Sequence, residues 1–389
     1  MAFAFIQSSL AKRQQQHILR KRTLVDSSAG AMMTVDGSHY INFSGNDYLG
    51  QRQNMAVMQA WVDGISEYGV GSGASPLVTG HTRAHDELEC YLAQNLGREK
   101  ALLFNSGFAA NQALCQALLH KDSLVVSDKL MHASFIEGAM HSNSAYTRFN
   151  HNDLNHLSHR LKDKKADTLV ATEGVFSMDG DQGKLSEMSQ LCTHNNAWLM
   201  VDDAHGIGVF GSRGLGSVEA LGLSQHQVPI VMGTFGKAIG TAGAFIAGSA
   251  NLIDYLINFA KHYVYSTAMP PALASATLAS FKQIQDGEQQ TKLHNHISLF
   301  TTLCKQAGIK VMPSTSAIQP VLMGNPEACL EASLRMRELG LWVAPIRYPT
   351  VPKGQDRLRI TLSASHHQSD IEALVDVLQL VLPVHDVKS

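Results

Sequence analysis

Short apolar runs and longer amphipathic stretches alternate through the middle of the chain, and this alternation restricts the possible folds more than any other feature. The apolar runs cover residues 101–104, 123–128, 168–173, 197–203, 229–234 and 243–248. Each is too short for a helix and is bounded by Gly, Asp or Ser, as buried strands are. Between them, stretches such as residues 153–162 have the apolar period of a helix. We therefore expect a mostly parallel sheet with helices on both faces.

The two ends of the chain differ from this central region. Residues 1–45 begin with a basic, Gln-rich helical stretch and continue into a short strand, which predicts an N-terminal arm. After about residue 285 the pattern becomes helix, strand pair (309–312 and 317–324), helix, strand and helix. We therefore expect a large domain over residues 46–285 and a small C-terminal α+β domain over residues 286–389.

Composition argues against several classes of function. The chain has 389 residues, 44% of them hydrophobic, and a formal net charge of -2. There is no excess of cations for nucleic acid or an anionic membrane surface, and no stretch suits a signal peptide or a membrane span. The five cysteines are widely spaced, which favours free thiols in a reducing cytoplasm over disulfides or a metal site.

Polar residues follow two of the predicted strands, at the edge where open α/β sheets bind ligands. Asp202 closes the strand at 197–203, and His205 follows three residues later. Ser177 lies in the turn after the strand at 168–173. Each residue alone also fits an ordinary turn, so a site is indicated only by the whole set.

Lys237 lies in a glycine-rich loop after a predicted strand, with Thr234 three residues earlier. In apolar surroundings a lysine is costly unless it reacts or pairs, and desolvation lowers its pKa toward the range that Schiff-base chemistry needs. The flanking glycine disfavours the alternative, a surface-loop lysine. A nucleotide-binding P-loop is excluded because Val231 and Ala238 stand where that motif needs Gly and Ser or Thr.

A predicted helix that begins after Ser106 and Gly107 offers a place for an anion. Its free backbone N–H groups and positive dipole end suit a phosphate, although a plain N-cap by Ser106 predicts the same residues. Pyridoxal 5′-phosphate (PLP) needs a phosphate site, an acid beside its pyridine nitrogen and a lysine for the Schiff base. Together with Asp202 and Lys237, the helix start therefore predicts a PLP site.

Nine segments, which together span nearly the whole chain, resemble the α-oxoamine synthases, a family of fold-type I PLP enzymes. They are FSGNDYLG (43–50), GVGSGASPLVTGHTRAHDELE (69–89), ALLFNSGFAANQA (101–113), SDKLMHASFIEGA (127–139), TEGVFSMDGD (172–181), LMVDDAHGIGVFG (199–211), TFGKAIGTAGA (234–244), YSTAMPP (265–271) and IRYPTVPKGQDRLRITL (346–362). The resemblance implies an aspartate aminotransferase-like α/β fold. A large, mostly parallel, seven-stranded sheet domain would bind PLP beside a small C-terminal α+β domain.

The resemblance also implies roles around the cofactor ring. Lys237 would form the Schiff base with PLP and later move protons, and Asp202 would pair with the pyridine nitrogen. His132 would stack on the ring and contact the thioester substrate. Ser177 and His205 would bond the hydroxyl side of the ring, and all of these except Ser177 are expected to be catalytic.

The phosphate contacts implied by the resemblance come from two chains of a homodimer. Gly107, Phe108 and Thr234 would hold the phosphate from the same chain. Ser266 and Thr267 would reach it from the neighbouring subunit. Active sites shared across the interface follow from this arrangement.

Substrate contacts are implied for five further residues. Asn46, Arg347 and Arg359 would hold the amino-acid carboxylate, for which the planar fork of arginine is suited. A solvent-facing strand position is the competing interpretation for Arg359. Thr350 and Arg20 would line the acyl-thioester side, and a solvated basic run is the alternative for Arg20.

The implied reaction is a decarboxylative condensation of an amino acid with an acyl thioester. The resemblance is strongest to members that join L-alanine to a pimeloyl thioester, carried by CoA or by an acyl carrier protein. A glycine C-acetyltransferase, which has the same motifs, is the alternative. A noncatalytic subunit with this fold is disfavoured because it would be expected to lack Lys237. Ala74 and Tyr348 depart from the family pattern, so the preferred length of the substrate's acyl chain is not predicted.

Overall fold

The computed structural model describes residues 2–16, 18–165 and 167–382. The strands are β1 (Ser27–Ala29), β2 (Met32–Val35), β3 (Ser38–Asn42), β4 (Lys100–Phe104), β5 (Ser123–Asp128), β6 (Ala145–Phe149), β7 (Asp167–Glu173), β8 (Trp198–Asp202), β9 (Ile230–Thr234), β10 (Ala244–Gly248), β11 (Ile318–Leu322), β12 (Leu341–Trp342), β13 (Ala344–Ile346) and β14 (Arg357–Thr361). The helices are α1 (Phe5–Gln15), α2 (Met55–Tyr68), α3 (Arg83–Asn95), α4 (Gly107–Leu118), α5 (Ala133–His141), α6 (Leu154–Arg160), α7 (Leu185–His194), α8 (Ser217–Ala220), α9 (Ala250–Phe259), α10 (Lys261–Val264), α11 (Pro271–Gln283), α12 (Glu288–Gln306), α13 (Pro326–Glu338) and α14 (Gln368–Val381).

Seven strands form the main sheet, in the order β4-β10-β9-β8-β7-β5-β6. All six predicted apolar runs are strands of this sheet, so the mostly parallel α/β fold is confirmed. Only β10 runs antiparallel to its neighbours β4 and β9. The short loop between β9 and β10 has no room for the crossover that a parallel pair needs. This loop carries Lys237 and turns back at the carboxyl end of β9.

Both faces of the main sheet are covered. Every residue of β5 is buried, and its adjacent side chains Val125 and Val126 belong to two separate hydrophobic cores on opposite faces. Successive side chains of a strand point to opposite faces, so a continuous apolar run is what a doubly covered strand requires. The polar residues at the carboxyl ends of β7, β8 and β9 therefore lie together at one edge.

A smaller sheet follows, with β14 between β11 and β13. The predicted strand at residues 309–312 is wrong, since that segment has no ladder; its backbone bonds are from Ile309 N to the carbonyl of Cys304 at 2.8 Å and from Met312 N to the carbonyl of Pro320 at 2.9 Å. The N-terminal strands β1 to β3 form a sheet with β12, so the predicted arm is joined to the C-terminal region. The three-part division of the chain remains a proposal, and its last residues, 383–389, lie outside the described part. Among described residues, no helix combines the length and hydropathy needed to cross a membrane.

Candidate active site

Lys237 lines a cavity of about 370 Å³ at the carboxyl ends of β7, β8 and β9. Its loop is closed by a backbone bond from Phe235 N to the carbonyl of Gly243 at 2.9 Å. Burial lowers the pKa of the Lys237 amine, although the carboxyl groups of Asp202, Glu173 and Asp203 oppose this effect. A lowered pKa increases the unprotonated fraction of the amine, which is the form that acts as a nucleophile or a base.

Two of these carboxyl groups, those of Asp202 and Glu173, belong to residues directly opposite each other on β8 and β7. Both also line the cavity, and their exposed fractions are 4% and 2%. Burial, and then the charge of Asp202, raises the pKa of Glu173 well above its usual value. Asp202 accepts hydrogen bonds from Asn111 Nδ2 at 2.9 Å and from the Ala204 amide at 3.2 Å. The raised pKa favours a neutral Glu173 beside the hydrogen-bonded carboxyl group of Asp202.

A hydrogen-bonded chain connects Asp202 to His132. Asn111 Nδ2 donates to Asp202 Oδ2 and to Ser134 Oγ, each at 2.9 Å. Ser134 Oγ lies 2.8 Å from His132 Nδ1. Because the Ser134 oxygen already accepts from Asn111, its single proton is available for His132. His132 lines the cavity, is exposed, and forms the N-cap of α5.

His205 lines the same cavity and is 6% exposed. Its Nδ1 atom lies 2.7 Å from the hydroxyl of Tyr48. Burial, followed by the positive charge of Lys237, lowers the pKa of His205 well below its usual value. His205 is therefore a neutral imidazole with one N–H group and one lone pair.

Arg359 and Ser177 lie together beside the cavity. Arg359 Nε donates to the carbonyl of Ser177 at 2.7 Å, and both terminal nitrogens lie 3.4 Å from Asn46 Oδ1. Arg359 is only 7% exposed because β14 is the central strand of its sheet. The solvent-facing interpretation of this residue is wrong. Asn46 lines the cavity, so two of the three residues predicted to bind the carboxylate, Asn46 and Arg359, lie next to each other at or beside the cavity.

The start of α4 forms the opposite part of the cavity. Ser106 Oγ accepts a hydrogen bond from the Ala109 amide at 3.1 Å. The N–H groups of Gly107 and Phe108 are not used by this cap. Thr234 Oγ1 is buried and has no hydrogen-bond partner among the described residues. A Cβ atom at position 107 would lie 2.7 Å from Thr234 Cγ2, so the close approach requires glycine. Free amides, a dipole end and an unpaired hydroxyl fit a phosphate group, and with Lys237 they fit PLP.

Seven predicted residues do not line this cavity, and two of them, Ser177 and Arg359, lie beside it as described above. Ser266 and Thr267 line a separate small pocket, and Asn105, which borders both pockets, donates to the Thr267 carbonyl at 2.8 Å. Arg20 and Thr350 are exposed, and Arg347 is partly buried in the segment after β13. Their assigned roles remain predictions.

Several residues that the site uses were not predicted: Tyr48, Asn111, Ser134, Glu173 and Asp203. Glu173 ends a predicted strand and could have been found by the rule that found Asp202. The fully buried Asp203 accepts from the Ser217 amide at 2.6 Å and from its hydroxyl at 2.8 Å, which anchors the turn after β8. Burial raises the pKa of Asp203 to about 6. Only the fold places these side chains against the cavity or behind it.

Comparison with known proteins agrees with this site. The sequence profile of the family described as aminotransferase class I and II matches residues 38–378. An 8-amino-7-oxononanoate synthase from Aeromonas hydrophila is 47% identical over 374 residues, which are 96% of this chain and 94% of that protein. Many further relatives have the same name, including one from Saccharophagus degradans that is 45% identical over 97% of this chain and 96% of its own.

A solved serine palmitoyltransferase from S. paucimobilis, with a bound PLP–myriocin aldimine, is 26% identical. It superposes with a TM-score of 0.91 over 97% of both chains. The chain therefore belongs to the PLP-dependent, fold-type I family described as aminotransferase class I and II and, within it, to the α-oxoamine synthases.

Proposed function

We propose that this chain condenses L-alanine with a pimeloyl thioester, releasing CO2 and the free thiol carrier and giving 8-amino-7-oxononanoate, a step of biotin synthesis. The observation that carries this proposal is the identity of 47% over 96% of the chain to an 8-amino-7-oxononanoate synthase. The constellation of Lys237, Asp202, His132 and His205 supports it because all four residues line one cavity.

PLP, when bound, supplies an electron sink for the substrate's α-carbon. Its protonated ring nitrogen carries a positive charge that a neighbouring carboxylate stabilises. Lys237 Nζ, with its lowered pKa, is suited to accept the α-proton and to return it later. Asp202 supplies the anion for the ring nitrogen, and Asn111 holds that carboxylate in place. His132 accepts a hydrogen bond from Ser134 on Nδ1, so its other nitrogen is left to donate to the thioester carbonyl.

Substrate selection would rest on the cavity wall and on the segments beside it. Arg359 and Asn46 would hold the alanine carboxylate, with help from Arg347. Thr350 and Arg20, both exposed, would contact the acyl chain or its carrier as the thioester approaches from outside. The carrier is CoA or an acyl carrier protein, and both offer the same thioester.

The test combines a spectrum with a substrate panel. The purified protein is expected to show a PLP absorbance band that shifts with L-alanine. Thiol release should then require L-alanine and a pimeloyl thioester, whereas glycine with acetyl-CoA and serine with palmitoyl-CoA should be poor pairs. Lys237→Ala should abolish both the lysine-dependent band and turnover. Full activity of this variant, or a preference for glycine with acetyl-CoA, would contradict the proposal.

We also propose that the protein is a homodimer. Large apolar side chains are exposed on α2, directly after it and directly after α10, among them Met55 at 76%, Val70 at 82% and Tyr265 at 81%. A second copy would cover them and bring its Ser266 and Thr267 toward the phosphate. Light scattering should give twice the chain mass of 42.2 kDa. A monomer that turns over fully would refute shared sites.

A cytoplasmic location is proposed on the state of the cysteines. All five are free thiols in the structure, and four of them are buried. Persistent free thiols fit a reducing compartment, and fractionation of cells would test this assignment.

A further inference from the structure

Tyr48 is a buried tyrosine behind the cavity, and the reaction described above gives it no role. Its side chain is 1% exposed, and its hydroxyl lies 2.7 Å from His205 Nδ1. The backbone around it is bonded to the small-domain side, since Ala364 N donates to the Tyr48 carbonyl at 2.8 Å. The hydroxyl is thus held against one nitrogen of His205 while the ring of His205 lines the cavity.

The direction of this hydrogen bond follows from the protons available. Burial raises the pKa of Tyr48, so its phenol keeps its proton. The neighbouring Arg359 guanidinium can only donate, so it cannot accept the phenol proton. The phenol proton then goes to His205 Nδ1 at 2.7 Å or to Asn46 Oδ1 at 3.2 Å. The shorter contact is favoured, and Asn46 Oδ1 already faces two Arg359 nitrogens.

A neutral imidazole that accepts on Nδ1 must carry its proton on Nε2. Within residues 2–16, 18–165 and 167–382, no side chain or backbone group pairs with Nε2 of His205. We propose that Tyr48 is a positioning residue that fixes His205 in the Nε2–H tautomer, so that His205 presents a hydrogen-bond donor to the hydroxyl side of bound PLP. In the opposite tautomer, Nε2 would be an acceptor and would repel that oxygen.

This inference rests on the proposed role of His205 in PLP binding, and it does not depend on which thioester is the substrate. The first test measures the PLP dissociation constant of the Tyr48→Phe protein, which keeps the ring and loses only the hydroxyl. We expect binding to weaken about tenfold, which corresponds to about 1.4 kcal/mol. The matched control is Tyr146→Phe. It removes a hydroxyl bonded to Ser127 Oγ at 2.9 Å, outside the cavity lining, and should change PLP binding less than about twofold.

A double-substitution cycle separates positioning from simple packing. If Tyr48 acts through His205, Tyr48→Phe should have no further effect on PLP affinity in a His205→Ala protein. Equal losses in both backgrounds would show that Tyr48 only supports the fold, and the proposal would fail.

The tautomer itself can be measured without any Tyr48 variant. In a nitrogen-15 NMR spectrum of the histidine-labelled holoenzyme, the His205 signals are assigned by their loss in His205→Ala. A protonated Nε2 and an unprotonated Nδ1 are expected, and a protonated Nδ1 overturns the proposal even if Tyr48→Phe does not fold. Turnover of L-alanine with pimeloyl thioesters is assayed separately, so failure of the proposed reaction leaves this result interpretable.

Discussion

His151 joins the end of β5 to the loop after β7, and replacing it should reveal a pH-dependent contribution to stability. Its Nδ1 atom lies 3.1 Å from Asp128 Oδ2 at the end of β5, and its Nε2 atom lies 2.7 Å from Asp181 Oδ2 after β7. Asp128 is fully buried. Asp181 belongs to the loop that carries Ser177, so His151 helps to hold that loop against the sheet.

The magnitude follows from linkage between protonation and folding. Burial disfavours the charge on His151, but the hydrogen bonds to Asp128 and Asp181 outweigh it and raise the pKa to about 9 from 6.5. At about 1.4 kcal/mol per pKa unit, this shift corresponds to about 3 kcal/mol. Since the folded-state pKa is the higher one, the stabilisation is complete below about pH 6.5 and is lost as the pH rises through about 9.

The assay compares the wild-type and His151→Gln proteins by urea unfolding at pH 6 and pH 10. Their difference in the free energy of unfolding should shrink by about 2 to 3 kcal/mol between the two conditions. His120→Gln is the control because His120 lies 3.1 Å from Asp167 at an exposed site and should contribute less than about 1 kcal/mol at either pH. A His151→Gln difference that is the same at both pH values would refute the reasoning.

Three further predictions test other parts of the site and fold. Gly107→Ala should weaken PLP binding at least about tenfold in an absorbance titration, because the new Cβ would crowd Thr234, and unchanged affinity would exclude this phosphate site. Arg359→Lys should raise KM for L-alanine about tenfold or more with a smaller effect on kcat, since lysine cannot reproduce the planar fork; an unchanged KM would remove Arg359 from the carboxylate site. Burial lowers the pKa of His366 to about 4, so protonation favours the unfolded chain, and wild-type stability should fall by about 2 kcal/mol more than that of His366→Gln between pH 7 and pH 5. If the free energy of unfolding changed equally in the two proteins between pH 7 and pH 5, the low pKa of His366 would be contradicted.

The main sheet and the outline of the cofactor site could be predicted from the sequence because both depend on local patterns. Buried strands of an α/β sheet must be short and apolar, and their carboxyl ends share one edge, so Asp202 and Lys237 could be recognised before any contact was known. The segment at 309–312 shows the limit of this reasoning. Its apolar residues fit a strand, but strand formation also needs a partner with a free edge.

The sequence by itself therefore determined the fold class, the cofactor and the residues that end each strand. Only the tertiary structure decided which side chains stand behind them. Tyr48 and His205 are far apart in the chain, and so are Arg359 and Ser177, yet each pair is joined by a hydrogen bond. A hydrogen bond between distant segments leaves no periodic trace in either one, because its geometry depends on how the two elements pack together.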